Sequence, residues 1–199
     1  SIETSCDETG ISVLEYNEST GVIDIRGNAL SSQIEIHANY GGVFPALAKR
    51  AHAEKITLLI EEALDEAELL DAVDAPLKMV SERLAFLDTK ETTLKEHLTP
   101  FLTYYQKPDI DYIAVTVGPG LEPALWVGVN TARALSTIWD IPVIPINHME
   151  GHIVTAALER IDEKIYKLAG IAFPALALLV SGGHTELVIA DSFGMYNKI

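Results

Sequence analysis

The chain has 199 residues, 48% of them hydrophobic, and carries 14 basic against 29 acidic side chains for a formal net charge of −15. That length supports one good core or two small lobes, and the charge excludes a self-sufficient nucleic-acid binder, because phosphate contacts need Lys and Arg. It favours solubility or a partner that brings positive charge. Part of the acidity is local, since five carboxylates fall between Glu61 and Glu68. The single cysteine, Cys6, excludes an internal disulfide framework and fits a reducing compartment. No apolar run approaches membrane-spanning length and no charged-then-apolar leader opens the chain, so a cytoplasmic location without a membrane partner is expected.

Ser1 to Thr4 reads as the end of a strand that starts upstream, and Gly194 to Ile199 stops without a terminating signal. A fragment of a longer protein is expected. Residues 11–16 alternate as a half-buried strand does, Asn17 to Gly21 is turn chemistry, and Val22 to Ile25 resumes a strand. With the remnant at Ser1, this predicts a three-stranded meander. Tyr40 to Pro45 forms a glycine-rich loop whose proline suits a first helical turn. Ile56, Leu59, Ile60, Ala63, Leu64 and Ala67 then follow helical spacing, which predicts a helix from Pro45 to about Leu70.

Residues 71–108 are polar and helix-leaning, with Leu77, Val80, Leu84 and Leu87 as a thin apolar stripe. They read as a surface insertion. A strand is predicted at Tyr112 to Val117, ending in Gly118-Pro119-Gly120, then a helix from Pro123 to Trp139. A strand at Pro142 to Ile146 and a helix carrying His148 and His152 follow. The order β-β-β-α-β-α-β-α is that of the ribonuclease-H-like unit of actin-like lobes, an α/β fold with helices on the faces of a partly parallel sheet. Pro174 to Val180 and Thr185 to Ile189 read as the first hairpin of a second such lobe, with Glu159 to Gly170 as the link. The predicted division is residues 1–172 for the first lobe and 173–199 for the start of the second.

His148 and His152 stand four apart, on one helical face, where both imidazoles can reach one ion. Solvated histidines fit the spacing equally well. The flanking glutamate suggests a zinc peptidase, but there the glutamate directly follows the first histidine. Here Met149 holds that place, and Glu150 lies about 200° around the helix from His148. Asp7 and Glu8 occupy the turn between the first two strands, either as solvated carboxylates or as acids facing an interlobe cleft. Ser181-Gly182-Gly183 sits at the matching turn of the second lobe, where glycines let backbone N–H groups approach phosphate. Gly118-Pro119-Gly120 is a third such turn. His52, Arg50 and Lys49 form a small basic spot or ordinary surface charge.

Taken together, Ile2 to Thr9, Ser32-Gln33, His37, Tyr40 to Pro45, Arg50-Ala51-His52, Val117 to Leu121, Asn147 to His152 and Leu179 to Thr185 resemble the tRNA N6-adenosine threonylcarbamoyltransferase family. The likeness runs in order along the chain and skips only the insertion near 71–108 and the segment around 159–170. The resemblance implies an actin-like two-lobed fold. It implies transfer of threonylcarbamoyl from threonylcarbamoyl-adenylate to N6 of the adenosine beside the anticodon, in tRNAs reading codons that begin with A. It further implies His148 and His152 as ligands of an iron or zinc ion and Leu179, Val180, Ser181, Gly182 and Gly183 as the adenylate-binding turn. Asp7 and Glu8 are implied as active-site acids. The implied partners are tRNA, a non-catalytic paralogue subunit and a small ATPase. The family's third metal ligand, an aspartate, lies beyond this chain, and Glu122-Pro123 stands where the family has a glycine. A non-catalytic scaffold paralogue lacks the histidine pair, and an actin-like ATPase or sugar kinase does not need it.

Overall fold

The computed structural model describes residues 1–38, 40–73, 75–180 and 185–199. Strands β1 (Ile2–Glu3), β2 (Glu8–Asn17) and β3 (Val22–Ser32) form an antiparallel meander. Asn17 closes the β2–β3 turn by accepting the N–H groups of Ser19 and Thr20 on its side-chain oxygen, a local competition with the ladder typical of asparagine. Both long strands outrun the alternating stretches that predicted them, pairing from Glu8↔Ser32 to Asn17↔Val22. Strand β4 (Ile113–Gly118) runs parallel to β1, and β5 (Val143–Asn147) runs parallel to β4. The order β5-β4-β1-β2-β3 puts the two-residue β1 at the centre, as expected of the ribonuclease-H-like unit.

Residues 159–170 are not a plain link. They fall largely within a hairpin of β6 (Leu158–Arg160) and β7 (Ile165–Leu168), and β7 pairs antiparallel with β3 to widen the same sheet to seven strands. Strands of three and four residues are too short for their alternation to stand out from a loop.

Helix α1 (Ile34–Ala38) is a single short turn after β3, and α2 (Pro45–Glu66) begins on its proline as predicted. It stops short of Leu70, and the chain takes a positive φ of 58° at Glu68. The segment read as a surface insertion does not lie on the surface but packs as a helical layer against the core. It contains α3 (Leu77–Arg83), a 3-10 turn (Ala85–Leu87) and α4 (Thr92–Tyr104). Val80, Leu84, Leu87, Leu94, Leu98 and Leu102 are at most 1% exposed and share one core with Ile56, Ile60 and Trp139. Each buried leucine contributes roughly 1.5–3 kcal/mol. Leu77 is exposed, so the real stripe starts at Val80 and continues into α4.

Helix α5 (Glu122–Trp139) packs on β4 and β1, and α6 (His148–Thr155) follows β5 directly. Beyond it, β8 (Ala175–Val180), β9 (Thr185–Ser192) and β10 (Met195–Lys198) form a separate antiparallel sheet. The expected hairpin thus carries a third strand. Its small core joins Leu179 and Val188 to Ile153 of α6.

Candidate functional site

The site is organised by the tail of β1. Side chains alternate across a strand, and here the alternation continues two residues past β1 into the turn. Thr4 points to one side, where its hydroxyl donates to the carbonyl of Ala124 and accepts the N–H of Gly128 on α5. Glu3 and Ser5 point to the other, toward α6. Two glycines permit the close approach. A Cβ on Gly128 would lie 2.5 Å from Thr4 Oγ1, and one on Gly120 would lie 2.6 Å from the Ser5 carbonyl oxygen. That same oxygen accepts the N–H of Leu121 at 2.7 Å. The Glu122-Pro123 departure is absorbed at the start of α5, where a proline costs no helical bond and an acid suits the helix dipole.

On the far side, Asn147 caps α6 by accepting the N–H groups of Met149 and Glu150, which sets His148 at the first helical position. Met149 and Ile153 turn toward β8 and β9. His148 and His152 share the opposite side, with ring centroids 4.6 Å apart and planes at 83°. Their Nε2 atoms are 3.1 Å apart. Two imidazole lone pairs face each other at that distance only with a proton or a cation between them. Nitrogens bonded to one zinc-like ion at tetrahedral to square angles sit about 2.8–3.4 Å apart. The pair therefore fits two positions of one divalent ion. Among the described residues no set of three or more His, Cys, Asp or Glu side chains is arranged to hold one ion.

Behind His148 stands a carboxylate that sequence reasoning missed. Nδ1–H of His148 donates to Glu3 Oε2 at 3.1 Å, with Ser5 Oγ 3.3 Å from the same nitrogen. Glu3 also accepts the Thr116 hydroxyl at 2.6 Å and the Ser5 N–H at 2.5 Å. The Ile2↔Val115 register sets Glu3 beside Thr116. Burial would raise the Glu3 carboxyl, but the donors from His148, Ser5 and Thr116 outweigh it and hold it down to about 2. The hydrogen bond to Glu3 raises His148 in turn, against its partial burial. The available signal was a run of polar residues at the end of a central strand.

The expected acids are placed unequally. Asp7 is half-buried in the β1–β2 turn, two residues from Ser5, and its carbonyl accepts the Gln33 N–H. Gln33 is itself buried, with its amide nitrogen unpartnered. Glu8 opens β2 with its side chain exposed. The basic spot does not exist: Arg50 and Lys49 pair with Glu54 and Glu91, while His52 is fully buried. Its Nε2–H donates to the Cys6 carbonyl at 3.0 Å, so its Nδ1 accepts the Thr9 hydroxyl at 2.7 Å. Burial lowers its pKa. His37 is also buried, donating to Gln33 Oε1.

On β8, the Leu179 side chain is buried and that of Val180 is 71% exposed. Ser181, Gly182 and Gly183 lie outside the described residues, as does His184. A hollow of about 710 Å³ along α4, lined by Leu77, Pro100 and Tyr104, offers a single carboxylate, Glu96. Its chemistry is poorer than that of the histidine pair.

A family model for tRNA N6-adenosine threonylcarbamoyltransferase matches residues 24–75 and 103–199, well over half of the chain. The chain belongs to that family. Membership places it with transferases that modify tRNA at adenosine N6 by threonylcarbamoyl transfer. The matched stretches include both histidines and residues 179–183, whereas Asp7 and Glu8 precede them. Residues 76–102, which supply α3 and most of α4, fall between the matched stretches. No helix among the described residues is long and apolar enough to cross a membrane.

Proposed function

We propose that this protein transfers threonylcarbamoyl from threonylcarbamoyl-adenylate to N6 of the adenosine beside the anticodon, in tRNAs reading codons that begin with A. The observation that carries the reading is the histidine pair. Its nitrogens converge 3.1 Å apart, backed by Glu3 at the foot of the turn that bears Asp7. His148 and His152 hold the iron or zinc ion, whose chemistry when bound is to polarise an acyl carbonyl. N6 attacks the carbamoyl carbon, the new C–N bond forms, the C–O bond to phosphate breaks and AMP leaves. Asp7 takes the N6 proton, with Glu8 beside it. The 179–183 turn holds the adenylate. The Leu179 side chain is committed to packing, so the backbone of this turn is what meets phosphate.

Residues 1–172 form the first actin-like lobe and 173–199 open the second. Strands of the first sheet end at Leu168, and those of the second begin at Ala175. With a charge of −15, tRNA affinity comes from elsewhere in the assembly, which includes the non-catalytic paralogue and the small ATPase. The protein works in the cytoplasm. Unmodified tRNA incubated with labelled threonylcarbamoyl-adenylate and the assembled protein tests the reaction. Label appears on adenosine N6 with wild type and drops severely in Asp7→Asn, while adenylate binding persists. An unchanged rate in Asp7→Asn removes Asp7 as the base.

A further inference from the structure

We propose that Glu3 is a positioning residue, which locks His148 in the tautomer that carries its proton on Nδ1 and so aims the Nε2 lone pair at the point shared with His152. The proposal rests on the metal-site reading above and deepens it. A carboxylate accepts only, so a neutral His148 bonded to Glu3 Oε2 must keep its proton on Nδ1. Glu3 is in turn fixed by both of its oxygens. Oε1 takes the Ser5 backbone N–H, and Oε2 takes the Thr116 hydroxyl along with His148. The three donors come from the β1–β2 turn, β4 and α6, so this one carboxylate ties α6 to the centre of the sheet. Its contact is with Nδ1, on the side of the ring away from His152. Glu3 therefore acts through His148.

The wiring makes Glu3→Gln informative. The Ser5 N–H can only donate, so the glutamine oxygen must occupy the place of Oε1. Its NH2 group then faces Thr116 and His148. The Thr116 hydroxyl can rotate to accept. His148 Nδ1 then accepts as well, and the Ser5 hydroxyl 3.3 Å away turns to donate to the same nitrogen, which moves the imidazole proton to Nε2, where it blocks the lone pair. Glutamine preserves the shape, so the fold is kept while the tautomer reverses.

Nitrogen NMR of 15N-histidine protein, without metal and above the imidazole titration range, reads the tautomer directly. The His148 signal is assigned by its loss in His148→Ala. Wild type shows a protonated Nδ1 and a bare Nε2, and Glu3→Gln shows the reverse. Cobalt(II) titration followed by visible absorption gives the consequence. Affinity falls about 10–100-fold in Glu3→Gln, the usual effect of losing an outer-shell partner. Thr116→Val, which removes a donor to Glu3 and leaves the carboxylate in place, keeps the wild-type tautomer. A protonated Nδ1 retained in Glu3→Gln, or a wild-type His148 already protonated on Nε2, overturns the proposal. Wild-type protein that binds no cobalt overturns the metal reading instead, and the tautomer measurement still decides the role of Glu3.

Discussion

Two histidines hold the same short stretch of chain, Glu3 to Thr9, in opposite chemical states. His52 reaches it from α2, fully buried, bonded to a neutral carbonyl and a hydroxyl, with its pKa lowered by desolvation. His148 reaches it from α6 with a side chain 28% exposed, bonded to a carboxylate that raises its pKa. Burial among neutral partners makes an imidazole a strut, because desolvation disfavours its charged form. Partial exposure against a carboxylate leaves one nitrogen held and the other free for chemistry. The turn bearing Asp7 is braced by the first histidine and equipped by the second.

Substitution of each should therefore give opposite phenotypes. His148→Ala is expected to lower transfer on the order of 10²–10⁴-fold, since polarisation by a bound ion is worth several kcal/mol, with little change in melting temperature. His52→Ala leaves a cavity and two unpaired groups, costing about 2–4 kcal/mol. A thermal scan should show its Tm lowered by roughly 5–15 °C. The reverse pattern would break the comparison. Gly128→Ala tests the brace between them. Its methyl meets Thr4 Oγ1 at 2.5 Å and Ile2 Cγ2 at 3.4 Å, and moving α5 off β1 should cost about 1–3 kcal/mol in denaturant unfolding.

The comparison also has a pH signature. His52 is depressed in the folded protein below its ordinary 6.5, so the unfolded chain takes up the proton first as pH falls. The stability it supports is intact above about 6.5 and is lost below, with a slope of up to about 1.4 kcal/mol per pH unit. Urea midpoints between pH 7 and pH 5 should show that slope, and His52→Ala should flatten it. The smallest expected effect is Asn147→Ala, which removes the cap on α6 for about 1 kcal/mol. It should loosen the histidine pair enough to weaken metal binding a few-fold, read by cobalt titration.

The architecture was legible where periodicity is long. Ile56 to Ala67 marked α2, and the spacing of His148 and His152 put both on one face of α6. Short elements were not legible. Three- and four-residue strands such as β6 and β7 carry too little alternation to be separated from a link. The leucines of α4 were overlooked because polar neighbours dilute them, although Leu94, Leu98 and Leu102 close the core. At the site, spacing placed both histidines on one helical face, but Glu3 emerges only from the pairing of β1 with β4. His52 looked like surface charge beside Arg50 and Lys49, because position on a helix face, unlike composition, depends on what packs against it.

Metal content tests the central claim most directly. The intact assembly, purified and analysed for iron and zinc, should hold about one ion per copy of this chain in wild type and essentially none in His148→Ala, with both proteins folded. Metal retained undiminished in His148→Ala would contradict the assignment of the histidine pair.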